Sequence, residues 1–388
     1  METTILVTGA NSGLGFAICC RLIDDFPKRP GHRLRLIYST RSSTKANETL
    51  RRLATHLKRR DDVVCESVLV DLTQLRSVKA LADRLVEAGQ RLDRVIWNAG
   101  IAGWKGTNWR KATWNICTHF VHSLTYPTFM ITDVGLKAAE QVSPDEDALG
   151  QVFLANVFGH YMLTHWLAPL FGPDSRIIWI SSVSAIPSTF TLDDLQGLHS
   201  EVAYESSKRL TDLLILTSRL PSTRPWVSTF LPPPSTKMYL AHPGVVGTSI
   251  ADLPPLLSLL MLAVMYVVRL VGSPWFPVRP YKGALSAVHL ALAPASELEA
   301  LEGDNGKGKW GTATDVWGRD RVARTEVGGW GFGGVVGAVP PDSETSSIAR
   351  WKTWRETDSG MRERFEDLGR KCWQEMEDLR VKWATAIK

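Results

Sequence analysis

Short aliphatic runs and longer stretches with apolar residues every three or four positions take turns along the first 248 residues. Runs without polar alternation suit strands buried on both faces, and the helical periodicity between them supplies crossovers, so the pattern predicts repeated βαβ units and a parallel sheet. The predicted strands are TILVT, LRLIY, ESVLV, RVIWN, RIIWI and MYLAH. The rhythm fails between the fourth and fifth, where residues 101–150 carry Trp104, Trp109 and Trp114 at five-residue spacing. Five matches neither the helix nor the strand period. These rings either cement an irregular insertion onto the core or line an apolar mouth for a substrate.

Leu256 to Val268 is the most apolar stretch, thirteen residues closed by Arg269, whereas a membrane-spanning helix needs about 20. As a helix it would be apolar almost all round, more than one buried face requires. It is expected to serve both as a flap over a substrate and as an interfacial helix beside Arg269, Trp275 and Arg279. After residue 300, GDNGKGKWG and GGWGFGGVVGAVPP predict loop. Met361, Phe365, Leu368, Cys372, Met376, Leu379 and Trp383 then recur at steps of three and four, marking a terminal amphipathic helix expected to dock on its own domain. The architecture predicted is one doubly wound α/β domain over residues 1–300, with an insertion at 101–150 and an apolar flap at 249–280. Residues 301–388 add a Gly-rich loop and a helical extension.

With 44% hydrophobic and 22% charged residues the chain has ample material for a core. Its net charge of +5 is too mild for a general nucleic-acid binder, and no nucleic-acid partner is expected. Five cysteines without a CxxC pair indicate neither a disulfide framework nor a zinc site, so no metal is expected. The opening METTILVTGA enters a strand without a charged or long apolar leader, which points to the cytosolic side.

Chemistry concentrates at the ends of the predicted strands. In Thr8-Gly9-Ala10-Asn11-Ser12-Gly13-Leu14-Gly15 the glycines let the backbone turn tightly against a pyrophosphate, whose charge the helix N-terminus meets. Gly9, Ser12, Gly13, Leu14 and Gly15 are the candidate contacts. The second strand ends at Thr40-Arg41 with no acid for a ribose 2′-hydroxyl, and residues 21–60 hold twelve Lys/Arg against three Asp/Glu. Arg41 suits a 2′-phosphate, so NADPH is the expected cofactor; the plain alternative is an arginine facing water. Arg51, Arg52, Lys58, Arg59 and Arg60 read as a solvated helix face. Asp71 is placed to accept from an adenine amino group, and Asn98-Ala99-Gly100 lets the chain pass close beneath a ribose. Tyr204 and Lys208, four apart, share a helix face, where the ammonium would lower the phenol pKa toward neutrality and make it a usable acid or base.

Glycine turn, Asp71, Asn98-Ala99-Gly100, Asn156, Ser181-Ser182, Tyr204-Lys208 and Pro243-Gly244 fall in this order in step with the strands. With TGxxxGxG met by Gly9, Gly13 and Gly15, the chain resembles the short-chain dehydrogenase/reductase family over residues 3 to about 248. The resemblance implies a Rossmann-type fold and a tetrad of Asn156, Ser182, Tyr204 and Lys208, with Ser182 chosen as the second serine of its pair. Lys208 would bind the nicotinamide ribose and tune Tyr204, and Asn156 would hold a relay water. Val246 would offer backbone to the nicotinamide amide and Thr248 would help hold the phosphates. The 22-residue interval from Ser182 to Tyr204 is longer than in many members, a departure that puts the Ser–Tyr geometry in question.

Outside that core, the insertion with Thr125-Tyr126-Pro127, Asn156-Val157-Phe158-Gly159-His160-Tyr161, YESSK, HPGVVGTSI and the apolar run after Leu253 resemble the sterol-reducing branch of the family that acts in fungal C-4 demethylation. This implies an NADPH-dependent enzyme that reduces the 3-keto group of a 4-methyl sterol to the 3β-alcohol. It also implies peripheral or monotopic attachment to the cytosolic face of the endoplasmic reticulum or a lipid droplet, and a complex with other sterol C-4 demethylation enzymes. Two rivals stand beside it: a reductase of retinoid or other long-chain lipid carbonyls with the same tetrad, and a scaffold protein, against which the intact Ser182, Tyr204 and Lys208 argue.

Overall fold

The computed structural model describes residues 1–58, 60–125, 130–141, 148–232, 236–247, 255–302, 308–340 and 356–387. Three βα units open the chain: β1 (Glu2–Val7), α1 (Gly13–Asp25), β2 (Arg33–Thr40), α2 (Ser43–Leu57), β3 (Val63–Leu69) and α3 (Leu75–Glu87), leading into β4 (Leu92–Trp97). The insertion follows as β5 (Trp104–Thr107), α4 (Trp109–Thr125) and β6 (Met130–Thr132). A helix made of α5 (Gln151–Phe153), a π-turn over Leu154–Phe158 and α6 (Gly159–Trp166) leads to β7 (Phe171–Ile180). Then come α7 (Ala203–Thr217), α8 (Arg224–Phe230), β8 (Lys237–His242), α9 (Pro255–Leu270), α10 (Pro280–Gly283), α11 (Leu285–Leu292) and α12 (Ala295–Glu302). The chain closes with β9 (Lys309–Thr314), β10 (Asp320–Val327), β11 (Gly331–Phe332) and a long terminal helix, α13 (Ser359–Ala386).

The sheet runs β11-β10-β9-β8-β7-β4-β1-β2-β3. It is parallel from β3 through β9, and β10 and β11 return antiparallel. All six predicted strands are present. Leu6, Val95 and Ile177 face a core shared with α3, α6, α7 and α13, whereas Ile5, Val7, Ile96 and Ile178 face α1 and α11, so consecutive residues are buried on opposite faces and the runs lack polar alternation. Strand order reverses between β1 and β4, and in an open α/β sheet ligands bind beyond the carboxyl ends at that crevice.

Several expectations need correction. Residues after 300 are not simply loop, because β9 pairs with β8 and carries the sheet outward through β10 and β11. The glycine that reads as a breaker has a packing reason: a Cβ on Gly311 would lie 2.4 Å from His242 Nε2, so the strand needs glycine beneath that ring. The insertion is not irregular either, since among its described residues β5 and β6 pair antiparallel and α4 lies between them. Trp109 and Trp114 do not cement it, being 65% and 71% exposed on α4. Nor is the basic group uniformly solvated. Arg60 is buried and donates to the carbonyls of Ile23 and Phe26 and to Asp62, while Arg52 reaches Asn11 O at 3.0 Å and lies 3.8 Å over the Phe16 ring. Arg59 lies outside the described residues. Helix α13 docks on its own domain as expected: Phe365, Cys372, Met376 and Trp383 are buried, the Trp373 indole donates to Leu214 O at 3.0 Å, and the Tyr161 hydroxyl donates to Glu377 at 2.7 Å.

Candidate active site

The glycine turn is built against β4. Gly9 has φ +69°, and a Cβ there would lie 2.8 Å from Ala99 Cα; one on Gly15 would lie 2.2 Å from Gly9 O. Close approach therefore demands both glycines. The Asn98 amide donates to Thr8 O at 3.0 Å, and the Thr8 hydroxyl accepts from Asn98 N and Ala99 N at 3.0 and 3.1 Å, so Asn98 ties the turn to β4. Beneath them His160 Nε2 lies 2.9 Å from Thr8 Oγ1, and burial holds this imidazole neutral, down to about 3. Ser12 is the N-cap of α1 and makes no side-chain capping bond, so the first-turn N–H groups at Gly13, Leu14 and Gly15 are left to an anion. That uncapped cradle fits a dinucleotide pyrophosphate.

Along the adjoining strand ends, Thr40 is buried with its hydroxyl donating to Ser42 O at 2.9 Å, and Arg41 beside it is exposed. Asp71 Oδ1 accepts from Thr73 N and Oγ1 at 2.9 and 2.7 Å, which orients the carboxylate at the end of β3. Beyond β8, Val278 donates to Val245 O and accepts from Gly247 N, bracketing Val246 so that the latter's own N–H and C=O point away from this pairing. Val278 takes φ +65°, strain for a β-branched residue held in place by that pairing. Thr248 and residues 249–254 of the flap lie outside the described residues. The rest of the flap contains α9, which packs Met265 and Val268 against Phe276 and Val278 next to Val245.

The reactive side chains meet on α7 and after β7. The Ser182 side chain faces the Tyr204 hydroxyl closely enough to favour its ionised form, and the Ser182 oxygen accepts from Ser184 N at 3.1 Å. Ser181 instead donates to the buried Asp212, which separates the roles of the two serines. The long Ser182–Tyr204 interval is anchored outside the site: Gln196 Oε1 accepts from Gly150 N and Leu198 O from Gly135 N, both at 2.8 Å. Lys208 Nζ donates to Ile180 O at 2.9 Å and lies 5.7 Å from the Tyr204 ring centre. Burial lowers Lys208 to about 8, opposed by Asp212 and reinforced by Lys309. Burial, with Glu205, pushes Tyr204 up to about 12 against the opposing Ser182 hydrogen bond. The expected drop of the phenol toward neutrality is thus absent from the bare site, where the ammonium is engaged by a carbonyl and desolvation dominates.

Asn156 sits in the π-turn and works as a clip. Its Oδ1 accepts from Ile101 N at 2.8 Å, and Nδ2 donates to Ile101 O at 2.9 Å and Ser207 Oγ at 3.0 Å. Both amide protons are spent, so its side chain has no donor left for a relay water. A Cβ on Gly100 would come within 2.8 Å of this amide, which explains the small residue.

Four further side chains complete the site. Trp104 stands edge-on to Tyr204 with a buried, unpartnered indole N–H. Glu205 is buried with an unpartnered Oε2, and burial pushes it up to about 7 against the pull of Lys111. Asp212 continues the Tyr204–Lys208 spacing by four more residues, a pattern that was available. Lys309 opens β9 and reaches Ser182 O at 2.7 Å, a contact only the sheet topology reveals.

The short chain dehydrogenase family model matches residues 3–215. The chain is 44% identical over 425 residues to a 3-keto-steroid reductase of Aspergillus fumigatus, covering 98% of this chain and 93% of that protein. It is 33% identical to 3-keto-steroid reductases of Gibberella zeae, over 99% and 94% of the two chains, and of Schizosaccharomyces pombe, over 83% and 90%. Among solved structures, a Pseudomonas aeruginosa RhlG/NADP complex shares 21% identity over 75% of this chain and 90% of that one, with a TM-score of 0.44. Motif order, cradle and match agree: the chain belongs to the short-chain dehydrogenase family, as an oxidoreductase that works with a nicotinamide cofactor.

Proposed function

We propose that the protein reduces the 3-keto group of a 4-methyl sterol to the 3β-alcohol with NADPH, in sterol biosynthesis. The observation that carries this reading is the Ser182–Tyr204 hydroxyl pair under the Trp104 ring, in a chain that matches 3-keto-steroid reductases over nearly its whole length. When bound, the reduced nicotinamide supplies hydride. The remaining work falls to side chains. Ser182 hydrogen-bonds the ketone oxygen and holds it at Tyr204, whose phenol is fully protonated in the bare site and donates its proton as the oxygen becomes an alkoxide. Lys208, one turn along, places positive charge beside the phenolate left behind and binds the ribose. Asn156 keeps the strand-four loop and α7 in register through Ile101 and Ser207.

The phosphate preference rests on Arg41 with Thr40 and on the missing acid after β2. Gly9, Ser12, Gly13, Leu14 and Gly15 would hold the pyrophosphate, Asp71 and Asn98 the adenosine side, and Val246 the carboxamide.

Sterols partition into bilayers, and the surface around α9 suits collection from one. Leu259, Val267, Leu270 and Val271 are exposed, α4 packs on α9 and presents Trp109 and Trp114, and Trp317 is 80% exposed next to Gly318, which lies against Arg269 at the end of α9. No helix among the described residues is long and apolar enough to cross a membrane. We read this as monotopic docking on the cytosolic face of the endoplasmic reticulum or a lipid droplet, where other sterol C-4 demethylation enzymes would be neighbours. The test of function is incubation of purified protein and NADPH with 3-ketosteroids, retinals and aliphatic ketones. A 3β-sterol alcohol should be the preferred product; preference for retinal or a linear ketone would refute the reading.

A further inference from the structure

Three consecutive residues at the end of β7 are tied to three different groups. Ile180 O accepts from Lys208 Nζ at 2.9 Å, the Ser181 hydroxyl donates to Asp212 Oδ1, and Ser182 O accepts from Lys309 Nζ at 2.7 Å and from Ala185 N at 3.4 Å. Two of those partners form one ion pair: Lys309 Nζ lies 2.6 Å from Asp212 Oδ2, with side-chain exposures of 3% and 0%. An ion pair so far from water persists only if its remaining protons and lone pairs are also satisfied. The Ser181 hydroxyl and the Ser182 carbonyl supply that satisfaction, which locks the pair to the segment that carries the Ser182 side chain. The two ends come from distant parts of the chain, Asp212 from the helix that bears Tyr204 and Lys208, Lys309 from the strand added after residue 300.

We propose that Lys309 is a positioning residue for the reaction: paired with Asp212, it fixes the main chain at Ser181–Ser182 so that the Ser182 hydroxyl stays on the Tyr204 hydroxyl. This rests on the functional reading above, in which that hydroxyl pair receives the ketone oxygen. The pair also brings no net charge to Lys208, since Asp212 favours its ammonium and Lys309 disfavours it. The outer strands therefore act in the chemistry, because β9 delivers the ammonium that β7 needs at its end.

Removing Lys309 alone would strand a buried carboxylate, so the test uses the double variant Lys309→Met/Asp212→Asn, in which the amide still accepts from Ser181 and the two charges of the pair leave together. Three quantities are read: kcat and KM for a 3-ketosteroid, Kd for NADPH, and Tm. A misplaced reacting group costs about 10²-fold, so kcat should fall by that order while Kd for NADPH and KM move by no more than about twofold. A folded double variant with kcat within about twofold of the unaltered protein, or with kcat and NADPH affinity lost together, would overturn the assignment. If the double variant does not fold, Ser181→Ala releases the same segment from Asp212 and leaves both charges of the ion pair in place. It should lower kcat about tenfold at unchanged Kd, and unchanged kcat would overturn the assignment equally. Failure of the unaltered protein to reduce any 3-ketosteroid would instead remove the functional reading, and the positioning role with it.

Discussion

The indole of Trp104 meets the ring of Tyr204 edge-on, with centroids 5.5 Å apart at an interplanar angle of 69°. One residue of the insertion thereby forms a wall beside the proton donor, while its neighbours Trp109 and Trp114 face outward. An aromatic pair of this kind contributes about 0.5–1.5 kcal/mol beyond its buried area, and a flat apolar substrate would lose contact area as well. Trp104→Ala should therefore lower kcat/KM for a 3-ketosteroid by about tenfold to 10²-fold, chiefly through KM, with NADPH binding unchanged. Steady-state kinetics check this, and Trp109→Ala is the control that should leave reduction of a water-soluble ketone unaltered.

Cofactor choice should follow Arg41. A guanidinium on a 2′-phosphate contributes a charge-assisted, two-pronged contact, and every 1.4 kcal/mol is about tenfold. Arg41→Ala is expected to raise KM for NADPH at least about tenfold and to leave KM for NADH nearly unchanged. Equal use of NADH and NADPH by the unaltered protein would contradict the assignment.

Glu205 gives a pH signature. Burial raises its carboxyl to about 7, above its ordinary 4.5, so the folded state holds a proton that the unfolded chain has released. The stability linked to that proton is fully present below pH 4.5 and is lost as pH rises through about 7. Shifts of this size correspond to on the order of 3 kcal/mol. Glu205→Gln should make chemical-denaturation stability flatter between pH 4.5 and about pH 7. An unchanged pH slope would mean the carboxylate is already solvated.

Attachment to a bilayer should depend on the exposed face of α9. Leu259, Val267 and Leu270 changed together to Ser should abolish co-sedimentation with neutral phospholipid vesicles, because none of the three is buried. Reduction of a water-soluble ketone should persist, since Met265 and Val268 still pack on Phe276 and Val278. Equal sedimentation of both proteins would assign the face to something other than lipid.

The six predicted strands, the glycine turn and the Tyr204–Lys208 pair are legible because each rests on local spacing: runs of strand-forming residues, positive-φ glycines and one helical turn. What escaped depends on residues far apart in the chain. Gly311 and Lys309 both read as loop until His242 is seen above the one and β9 carries the other to β8. Asn156 is legible from its place in the motif order, whereas its task of clipping Ile101 to Ser207 follows from the π-turn and the Gly100 approach. Charge proximity alone predicts that Lys208 lowers the phenol, and burial outweighs it.

The account turns on Tyr204 as the proton donor, and the direct measurement is the turnover of Tyr204→Phe on a 4-methyl-3-ketosteroid with NADPH, beside the Kd of that variant for NADPH. Phe keeps the ring that meets Trp104 and removes only the proton. Turnover should fall by about 10²–10⁴-fold, the usual worth of a positioned acid, while Kd stays within about twofold. Retention of more than about a tenth of the original turnover would show that another group delivers the proton and would contradict the account.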